Sequence, residues 1–424
     1  MIALLIIADD FTGALDTGVK FAECGASVRI VADYSCEFEK KDQKTQVLVV
    51  DAESRHIDGK CARERVYEIV KRARKAGIPY IYKKTDSALR GNVGNELEGM
   101  LAACGNTVLH FFPAFPKMGR TTVQGIHFID GVPVGESVFA EDPFDPVTCS
   151  EVAGIIHQQS KITVKTVTDG VILEDANEPI VAVYDTKTDE ELRALALELK
   201  QKKQLGVMAG CAGMAEYLPE LLHLTGPILQ IPAHTAKFLV VCGSVNPITR
   251  KQLDFAEAYG FYRIRLNAWQ KLEKSYFKTE TGQKKIREFA DILKKVPCCI
   301  LDSNDEEGRE DTLLYAREHN IPMDTVRKRI TDTMGYLLKE LLQMGIESTI
   351  MITGGDTLLG FMNQIHVYEM VPIREVAPGT VLSQFEIDGT VCEIISKSGG
   401  FGNEGLLVDL AKELMREEEE KIPC

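Results

Sequence analysis

The chain has 424 residues, which at roughly 150 residues per domain predicts two or three domains. Its composition, 45% hydrophobic and 26% charged, is that of a globular protein and excludes disordered, collagen-like and coiled-coil chains. The 63 acidic residues outnumber the 49 Lys and Arg residues, and the net charge of −14 argues against general nucleic-acid binding. Eleven cysteines without a CxxC pair, and an N-terminal apolar run too short for a signal or a membrane span, predict a cytoplasmic protein.

Short apolar runs alternate with helical patterns through the first half of the chain. The pattern predicts strands at 2–8, 47–50, 78–83 and 108–112, and helices at 13–24, 59–76 and 94–103. Such alternation is typical of βαβ units and a mostly parallel sheet. The pair Asp130-Gly131 between two short apolar runs predicts a hairpin with a primed turn.

The second half repeats the alternation from about residue 237. It predicts strands at 238–242, 298–301 and 349–352, and helices at 248–259 and 324–344. The segment 226–234 contains two prolines and is the predicted linker, with domains at 1–232 and 233–424. The acidic residues 416–421 are predicted to be a solvated helix end. The fold class is therefore α/β, with two domains, each a mostly parallel sheet flanked by helices, and the ligand cleft between them.

The first candidate site is the loop after the first strand, where ligands collect in open α/β sheets. Asp9 and Asp10 are adjacent there. Two such carboxylates can hold Mg²⁺, orient substrate hydroxyls or act as a base. The alternative is that Asp10 or Thr12 only caps the following helix.

A second loop, KKTDSALRGN (83–92), combines cations, a carboxylate and a hydroxyl. This set suits a small polyhydroxylated anion, with Lys and Arg for its carboxylate and Asp and Ser for its hydroxyls. The residues are Lys84, Asp86, Ser87 and Arg90. We expect the planar fork of Arg90 to bind the carboxylate; the alternative pairs Arg90 with Asp86 or Glu96. Arg120, in a loop stiffened by Pro and Gly (113–122), is predicted to complete the pocket wall.

Three glycine turns lie between strands and helices in the second half. They are Gly243-Ser244, GGDT (354–357) and KSGGFG (397–402). Glycines let the backbone approach phosphate oxygens, and a helix N-terminus supplies N–H donors, so the three turns predict a nucleotide phosphate site. The GxGxxG pattern at 400–405 predicts no NAD site, because no strand with a ribose-binding acid follows it.

Six motifs together carry a resemblance to a known family. They are ADDFTGA (8–14), KTDSALRGN (84–92), PAFPKMGRT (113–121), GSVNPITRKQ (243–252), GGDT (354–357) and KSGGFG (397–402). In this order they resemble the four-carbon acid sugar kinases, over almost the whole chain. The resemblance implies an N-terminal sugar-acid-binding domain, a C-terminal nucleotide-binding domain, and phosphorylation of D-threonate, D-erythronate or a 3-oxo-tetronate at the 4-hydroxyl by ATP. Because the sequence has no Walker A lysine motif, we expect Mg²⁺ and nearby lysines to balance the phosphate charge.

The resemblance also implies roles for individual residues. Nucleotide contacts fall on Ser244, Gly354, Gly355, Asp356, Thr357 and Gly400, and sugar-acid contacts on Asp9, Asp10, Lys84, Asp86, Ser87 and Arg90. We expect Asp10 to accept the hydroxyl proton and Asp86 to orient the sugar, with Asp356 as the alternative base; the metal ligands stay open. The expected partners are a sugar acid and ATP, without nucleic acid or membrane, and self-association is left open. The rival functions are a cytosolic sugar-acid sensor and a sugar-acid dehydrogenase.

Overall fold

The computed structural model describes residues 2–38, 44–142, 145–228, 236–306 and 311–415. The chain divides into two compact units, Met1–Leu229 and Gln230–Cys424. The predicted domain boundary at 232 and the predicted helix end at 416–421 lie outside the described residues. Within those residues, no helix has both the length and the apolar character that a membrane span requires.

The first unit is built on a parallel sheet. The strands of the whole unit, including three that form a separate small sheet, are β1 (Leu4–Ala8), β2 (Val28–Val31), β3 (Val47–Asp51), β4 (Tyr80–Lys84), β5 (Val108–Phe112), β6 (Arg120–Val123), β7 (Ile126–Ile129), β8 (Val132–Pro133), β9 (Thr163–Val167), β10 (Ile180–Tyr184) and β11 (Val207–Gly210). Its helices are α1 (Phe11–Ala22), α2 (Gly59–Lys75), α3 (Val93–Cys104), α4 (Val152–His157), α5 (Asp189–Gln201), α6 (Ala212–Ala215) and α7 (Leu218–Leu221).

The order of the main sheet is β2-β3-β1-β4-β11-β5-β10-β9, and every neighbouring pair is parallel. The predicted parallel sheet is confirmed here. All five residues of β1 are buried, as expected of a strand covered on both faces. Ala8 pairs with Asp51 on one side and with Lys84 on the other, so the loops after β1, β3 and β4 begin at one edge of the sheet.

A small antiparallel sheet, β6-β7-β8, follows β5. Asp130 and Gly131 join β7 to β8 with φ values of +50° and +83°. Positive φ at both central residues is the signature of a type I′ turn, so the predicted hairpin is confirmed.

The second unit contains a mixed sheet. Its strands are β12 (Phe238–Cys242), β13 (Tyr262–Arg265), β14 (Cys298–Asp302), β15 (Thr349–Thr353), β16 (Glu369–Ala377), β17 (Thr380–Ile387) and β18 (Thr390–Lys397). Its helices are α8 (Pro247–Ala258), α9 (Ala268–Leu272), α10 (Glu280–Lys295), α11 (Asp311–Glu318), α12 (Met323–Gln343), α13 (Gly355–Ile365) and α14 (Leu406–Leu414).

The order of this sheet is β13-β14-β12-β15-β18-β17-β16. The first five strands are parallel, whereas β17 runs antiparallel to both β18 and β16. The antiparallel strands were not predicted. They matter for the site because they return the chain to β15, where β18 ends with Lys397 paired to Thr353.

Candidate active site

Asp9 and Asp10 have different surroundings at the end of β1. Asp10 is the N-cap of α1 and accepts hydrogen bonds from Gly13 N at 2.8 Å and Thr12 Oγ1 at 2.7 Å, so the capping alternative is confirmed for Asp10. Asp9 is buried, and its Oδ1 has no hydrogen-bond partner among the described residues. A buried carboxylate oxygen without a partner is costly unless a ligand supplies the donor.

Arg55, which the sequence analysis missed, links three carboxylates. Its guanidinium donates to Asp9 Oδ2 at 2.8 Å and to Asp10 Oδ2 at 2.7 Å, and lies 3.5 Å from Asp86 Oδ1. Burial would lower the pKa of Arg55, but the three carboxylates outweigh it and raise that pKa well above its usual value. Asn92 Nδ2 fixes the segment around Arg55 by donating to Ser54 O at 2.8 Å.

The charge on Asp10 is fixed by the same cluster. Burial would raise the pKa of Asp10, but Arg55 and then Lys84 lower it below its ordinary value. Asp10 is therefore ionised at neutral pH and is a weak base.

Lys83 and Lys84 lie next to each other on β4, and both are buried. Lys83 Nζ is 3.0 Å from Glu96 Oε2 in an ion pair, and Ser54 Oγ donates to the other oxygen of Glu96. Lys84 Nζ donates only to the carbonyl of Thr85, at 2.8 Å, and forms no ion pair with any described residue. An ammonium has three donor hydrogens, so Lys84 keeps capacity for another acceptor.

Gly13 leaves space between Lys84 and the two acids. A Cβ at position 13 would lie 2.9 Å from Lys84 Nζ, 2.6 Å from Asp10 Oδ1 and 3.8 Å from Asp9 Oδ1. The ammonium of Lys84 and the Oδ1 of Asp9, which has no hydrogen-bond partner among the described residues, therefore face the same point beside the first turn of α1.

The fork of Arg90 is engaged by the protein. Its Nε and Nη2 donate to the two oxygens of Asp86, each at 2.9 Å, and its Nη1 donates to Asp142 Oδ2 at 3.1 Å. Its guanidinium carbon lies 5.1 Å from the centre of the Phe139 ring. Of the two contacts proposed from the sequence, the one with Asp86 is present. Burial would raise the pKa of Asp86, but Arg90 and Arg55 hold it well below its ordinary value.

Ser87 and Arg120 lie around His127, which was not predicted. His127 Nε2 is 2.9 Å from Ser87 O, and its Nδ1 is 3.1 Å from Thr122 Oγ1. Burial lowers the pKa of His127 to about 4, so the ring is neutral, and because a carbonyl only accepts, Nε2 carries the hydrogen. Arg120 is buried and donates to the carbonyl of Met118. Burial lowers the pKa of Arg120, and Asp86 is among the charges that oppose this.

In the second unit, the turns after β12, β15 and β18 meet at Ser244. A Cβ at Gly399 would lie 2.6 Å from Ser244 Oγ, and one at Gly354 would lie 3.5 Å from Ser244 N. Gly354 has φ +97°, a conformation that favours glycine. Asn304, another residue that was not predicted, fixes Ser244 by donating from Nδ2 to its carbonyl at 3.0 Å.

The other predicted nucleotide residues lie around these turns. Thr357 is buried at the start of α13, and a Cβ at Gly243 would collide with its Oγ1. Gly355 is the first residue of α13, and Gly400 lies in the turn after β18. Asp356 is partly exposed and pairs with Arg327, 3.2 Å away. This ion pair lowers its availability as the alternative base.

The acidic residues that the structure describes do not form a metal cage. Within the described ranges, no three His, Cys, Asp or Glu side chains are arranged to hold a metal ion. The acids after β1 and β4 are occupied by arginines instead. Mg²⁺ usually binds through nucleotide phosphates and one or two carboxylates. The glycine turns of the second unit are suited to bind such phosphates, whereas the acids after β1 and β4 are not arranged to bind an ion without a nucleotide.

Two family models match the chain. The model described as a sugar-binding N-terminal domain matches residues 4–218, and the one described as a nucleotide-binding C-terminal domain matches residues 239–407. The first match contains the cluster around Arg55, and the second contains the turns around Ser244.

Curated relatives match along most of their length. The chain is 27% identical to a D-threonate kinase of Salmonella typhimurium, over 96% of this chain and 97% of the relative. It is 27% identical to a D-erythronate kinase of Heliobacterium modesticaldum, over 94% of each chain. It is 23% identical to a 3-oxo-tetronate kinase of Pseudomonas fluorescens, over 93% of each chain.

Solved structures support the fold. A Salmonella typhimurium LT2 protein, described there as a tRNA synthase, aligns with a TM-score of 0.76 at 18% identity, over 97% of this chain and 100% of that chain. A Haemophilus influenzae protein aligns with a TM-score of 0.66 at 20% identity, with the same coverage. At these identities the likeness concerns the fold alone. From the family models and the kinases that match along nearly its full length, the chain belongs to the four-carbon acid sugar kinase family and is a phosphotransferase.

Proposed function

We propose that this protein transfers the γ-phosphoryl group of ATP to the 4-hydroxyl of a four-carbon sugar acid. D-Threonate, D-erythronate and 3-oxo-tetronates are the candidates, because the similar kinases are named for these substrates. The sugar acid binds in the first unit and ATP in the second, in agreement with the descriptions of the matching family models.

The observation that carries the proposal is the state of Lys84. Its buried ammonium has one backbone acceptor and no ion pair among the described residues, so it suits a substrate carboxylate. Asp9 Oδ1, near the same point beside Gly13, suits a substrate hydroxyl. A cation and a hydroxyl acceptor side by side match the two kinds of group that a sugar acid presents.

Arg90 then has a supporting role in this proposal. Both edges of its fork bind the protein's own carboxylates, so a substrate carboxylate would have to displace Asp86 or Asp142. We propose that Arg90 holds Asp86 in place, while Asp86 and Ser87 orient the sugar. Arg120, buried near Asp86, adds positive charge to the wall of the same site.

The proposed reaction does not require a strongly basic side chain. Phosphoryl transfer passes through a loose transition state, so positioning and charge stabilisation count for more than removal of the hydroxyl proton. Asp10, with a pKa below its ordinary value, is a weak base and serves mainly to fix Arg55 and α1. Asp9 therefore replaces Asp10 as our first choice for the carboxylate that accepts a hydrogen bond from a substrate hydroxyl.

In the second unit, the backbone of the glycine turns suits the phosphates of ATP. A Cβ on Gly354 and a Cβ on Gly399 would each lie close to Ser244, and α13 starts at Gly355, directly after the first of these glycines. Bound Mg²⁺ would neutralise phosphate charge, and Asp356 is the predicted nucleotide residue that carries a carboxylate.

A coupled ADP-release assay across C3 to C6 sugar acids tests the function. We expect ADP release that depends on a tetronate and saturates with both substrates. Tight tetronate binding without turnover would favour a sensor, and a change in nicotinamide absorbance would favour a dehydrogenase. ADP release with no preference for four-carbon acids would contradict the proposed substrate class.

A further inference from the structure

Lys397 is a buried cation that the function described so far does not use. It is the last residue of β18, and none of its surface is exposed. Its Nζ donates to Ser398 O at 2.9 Å and to Thr249 Oγ1 at 3.4 Å. It forms no ion pair within the described part of the chain. A buried ammonium without a counter-charge is unfavourable, so its retention here needs an explanation.

In the described part of the second unit, the elements packed around Lys397 bring no negative charge to it. Cys242 of β12 is the ionisable group that acts on it, and burial raises the pKa of this thiol to about 12, so it is neutral. Thr249 of α8 and Thr380 of β17, its partner in the sheet, carry hydroxyls only. Asp302 beyond Cys242 is bound by Arg263. On α13, Asp356 pairs with Arg327.

Lys397 nevertheless connects two of the glycine turns. Its backbone carbonyl accepts from Gly354 N at 3.0 Å. Its ammonium bonds Thr249 Oγ1, which in turn donates to Gly399 O at 2.9 Å. Gly354 and Gly399 are the two glycines whose missing side chains leave space around Ser244. The ammonium therefore lies directly behind the turns to which we assign the nucleotide phosphates.

We propose that Lys397 is a positioning residue for the nucleotide: bound phosphate supplies its missing counter-charge, so that ATP binding and protonation of Lys397 promote each other. The inference rests on the proposed ATP site. In the protein without ATP, the ammonium is stabilised by one carbonyl and one hydroxyl. With ATP bound, the phosphate charge stabilises the ammonium, and the ammonium keeps the Gly399 turn in place through Thr249.

A proton uptake follows from this coupling. Burial lowers the pKa of Lys397 to about 7, so without ATP the group is about half protonated at neutral pH. Phosphate raises this pKa, and the protein then takes a proton from solvent. We expect roughly half a proton per ATP at pH 7, little at pH 6 and close to one at pH 8. The affinity for ATP should accordingly fall as the pH rises above 7.

Titration calorimetry of the full chain with ATP measures this uptake directly. The titration is run without sugar acid, at pH 6, 7 and 8, in two buffers of different ionisation enthalpy. The wild type should take up more protons on binding ATP than Lys397→Met does, and the difference is the uptake by Lys397. The variant should also raise the Kd for ATP at least about tenfold, a loss of about 1.4 kcal/mol. Its melting temperature at pH 7 should stay equal or rise, because a buried charge is replaced by an apolar group. The matched control is Lys412→Met, which removes an exposed lysine of α14 whose ammonium lies over the Tyr259 ring, and it should leave the proton uptake and the Kd for ATP unchanged.

Thr249→Val provides a second, nearly isosteric test. It removes the hydroxyl that joins the ammonium to Gly399 O, so we expect weaker ATP binding with the proton uptake retained. Equal proton uptake in the wild type and Lys397→Met would overturn the inference. An unchanged Kd for ATP in a folded Lys397→Met variant would also overturn the inference. If Lys397→Met does not fold, an unchanged Kd for ATP in Thr249→Val would overturn it. If the wild type binds no ATP at any pH, the proposed ATP site itself fails.

Discussion

Lys84 offers the sharpest test of the sugar-acid site at the level of one residue. Removing one partner of a desolvated charge pair costs roughly 2–5 kcal/mol, and 1.4 kcal/mol is tenfold. Lys84→Met should therefore lower kcat/KM for the tetronate by at least about 30-fold and leave ATP binding unchanged. Its melting temperature should fall little, because the ammonium forms no ion pair with a described residue and acts on the carboxylates of Asp10 and Asp86 only through longer-range attraction. Steady-state kinetics and a melting curve measure both effects.

The adjacent lysine is the matched control for this variant. Lys83 is equally buried but forms an ion pair with Glu96, so Lys83→Met leaves a buried carboxylate without its cation. Breaking a buried pair costs about 3–5 kcal/mol, and we expect this variant to melt at a clearly lower temperature. A Lys84→Met variant that is destabilised to the same extent and keeps its KM for the tetronate would contradict the substrate role.

Arg90→Ala separates support of Asp86 from direct substrate binding. Because Asp86 loses two hydrogen bonds, we expect a lower melting temperature together with reduced activity. The effect should depend on pH. Asp86 has a lowered pKa in the folded protein, so its stabilising contribution is present above the unfolded value near 3.9 and is lost as the pH falls through the folded value.

The difference in melting temperature between the wild type and Arg90→Ala should thus be largest above pH 5 and shrink below pH 4. Thermal melts across pH 3 to 7 measure it. A variant that melts like the wild type at every pH, with only the KM for the tetronate raised, would show instead that Arg90 binds the substrate carboxylate.

The site residues differ in how far the sequence predicts them. Asp9 follows β1, and Lys84 and Asp86 lie at and just after the end of β4; because β1 and β4 are parallel neighbours, their ends must lie together. Arg55 lies four residues after β3 in an irregular segment, where no periodicity distinguishes one arginine from another. Its role depends on the long-range contact of Asn92 with Ser54, which local pattern does not encode.

The glycine turn after β18 allows a test of one structural element. A Cβ on Gly399 would come within 2.6 Å of Ser244 Oγ and 3.2 Å of Asn246 Cβ, so Gly399→Ala should obstruct the phosphates. We expect the Kd for ATP to rise at least about tenfold, a loss of about 1.4 kcal/mol, while tetronate binding is unchanged. Calorimetry with each ligand is the measurement.

Gly405→Ala is its control on the same segment. Its Cβ would meet neighbours at 3.5 Å or more, an ordinary contact, so ATP binding should persist. If both variants bind ATP like the wild type, the turn after β18 does not contact phosphate.

Two antiparallel strands of the second unit are joined by a turn whose sequence favours a hairpin. Asp388-Gly389 joins β17 to β18 with φ values of +50° and +80°. The same Asp-Gly pair predicts the hairpin at Asp130-Gly131. The strands themselves are hard to recognise because β16 is interrupted by Pro372 and has two register shifts, which blur the period-two pattern.

At the scale of the whole molecule, each unit has its own hydrophobic core. One cluster joins β1, β3, β4 and β5 with α2 and α3, and another joins β12, β14, β15 and β18 with α8 and α14. The sequence predicts two α/β domains because its strand and helix alternation restarts near residue 237. Which ligand each domain takes does not follow from that alternation and depends on the side chains at the strand ends.

A fragment comprising Met1–Leu229 tests this assignment of ligands, since it contains one whole core and every proposed sugar-acid residue. A ligand that binds only the folded state stabilises it by about 2.7 kcal/mol at 100 times its Kd. For a domain of this size that corresponds to a rise of roughly 5–10 °C in melting temperature. We expect D-threonate or a related tetronate to produce such a shift in the fragment, and ATP to produce none. In the same fragment carrying Lys84→Met, the tetronate should lose its effect. A fragment that is stabilised by ATP but not by any tetronate would reverse the roles of the two domains.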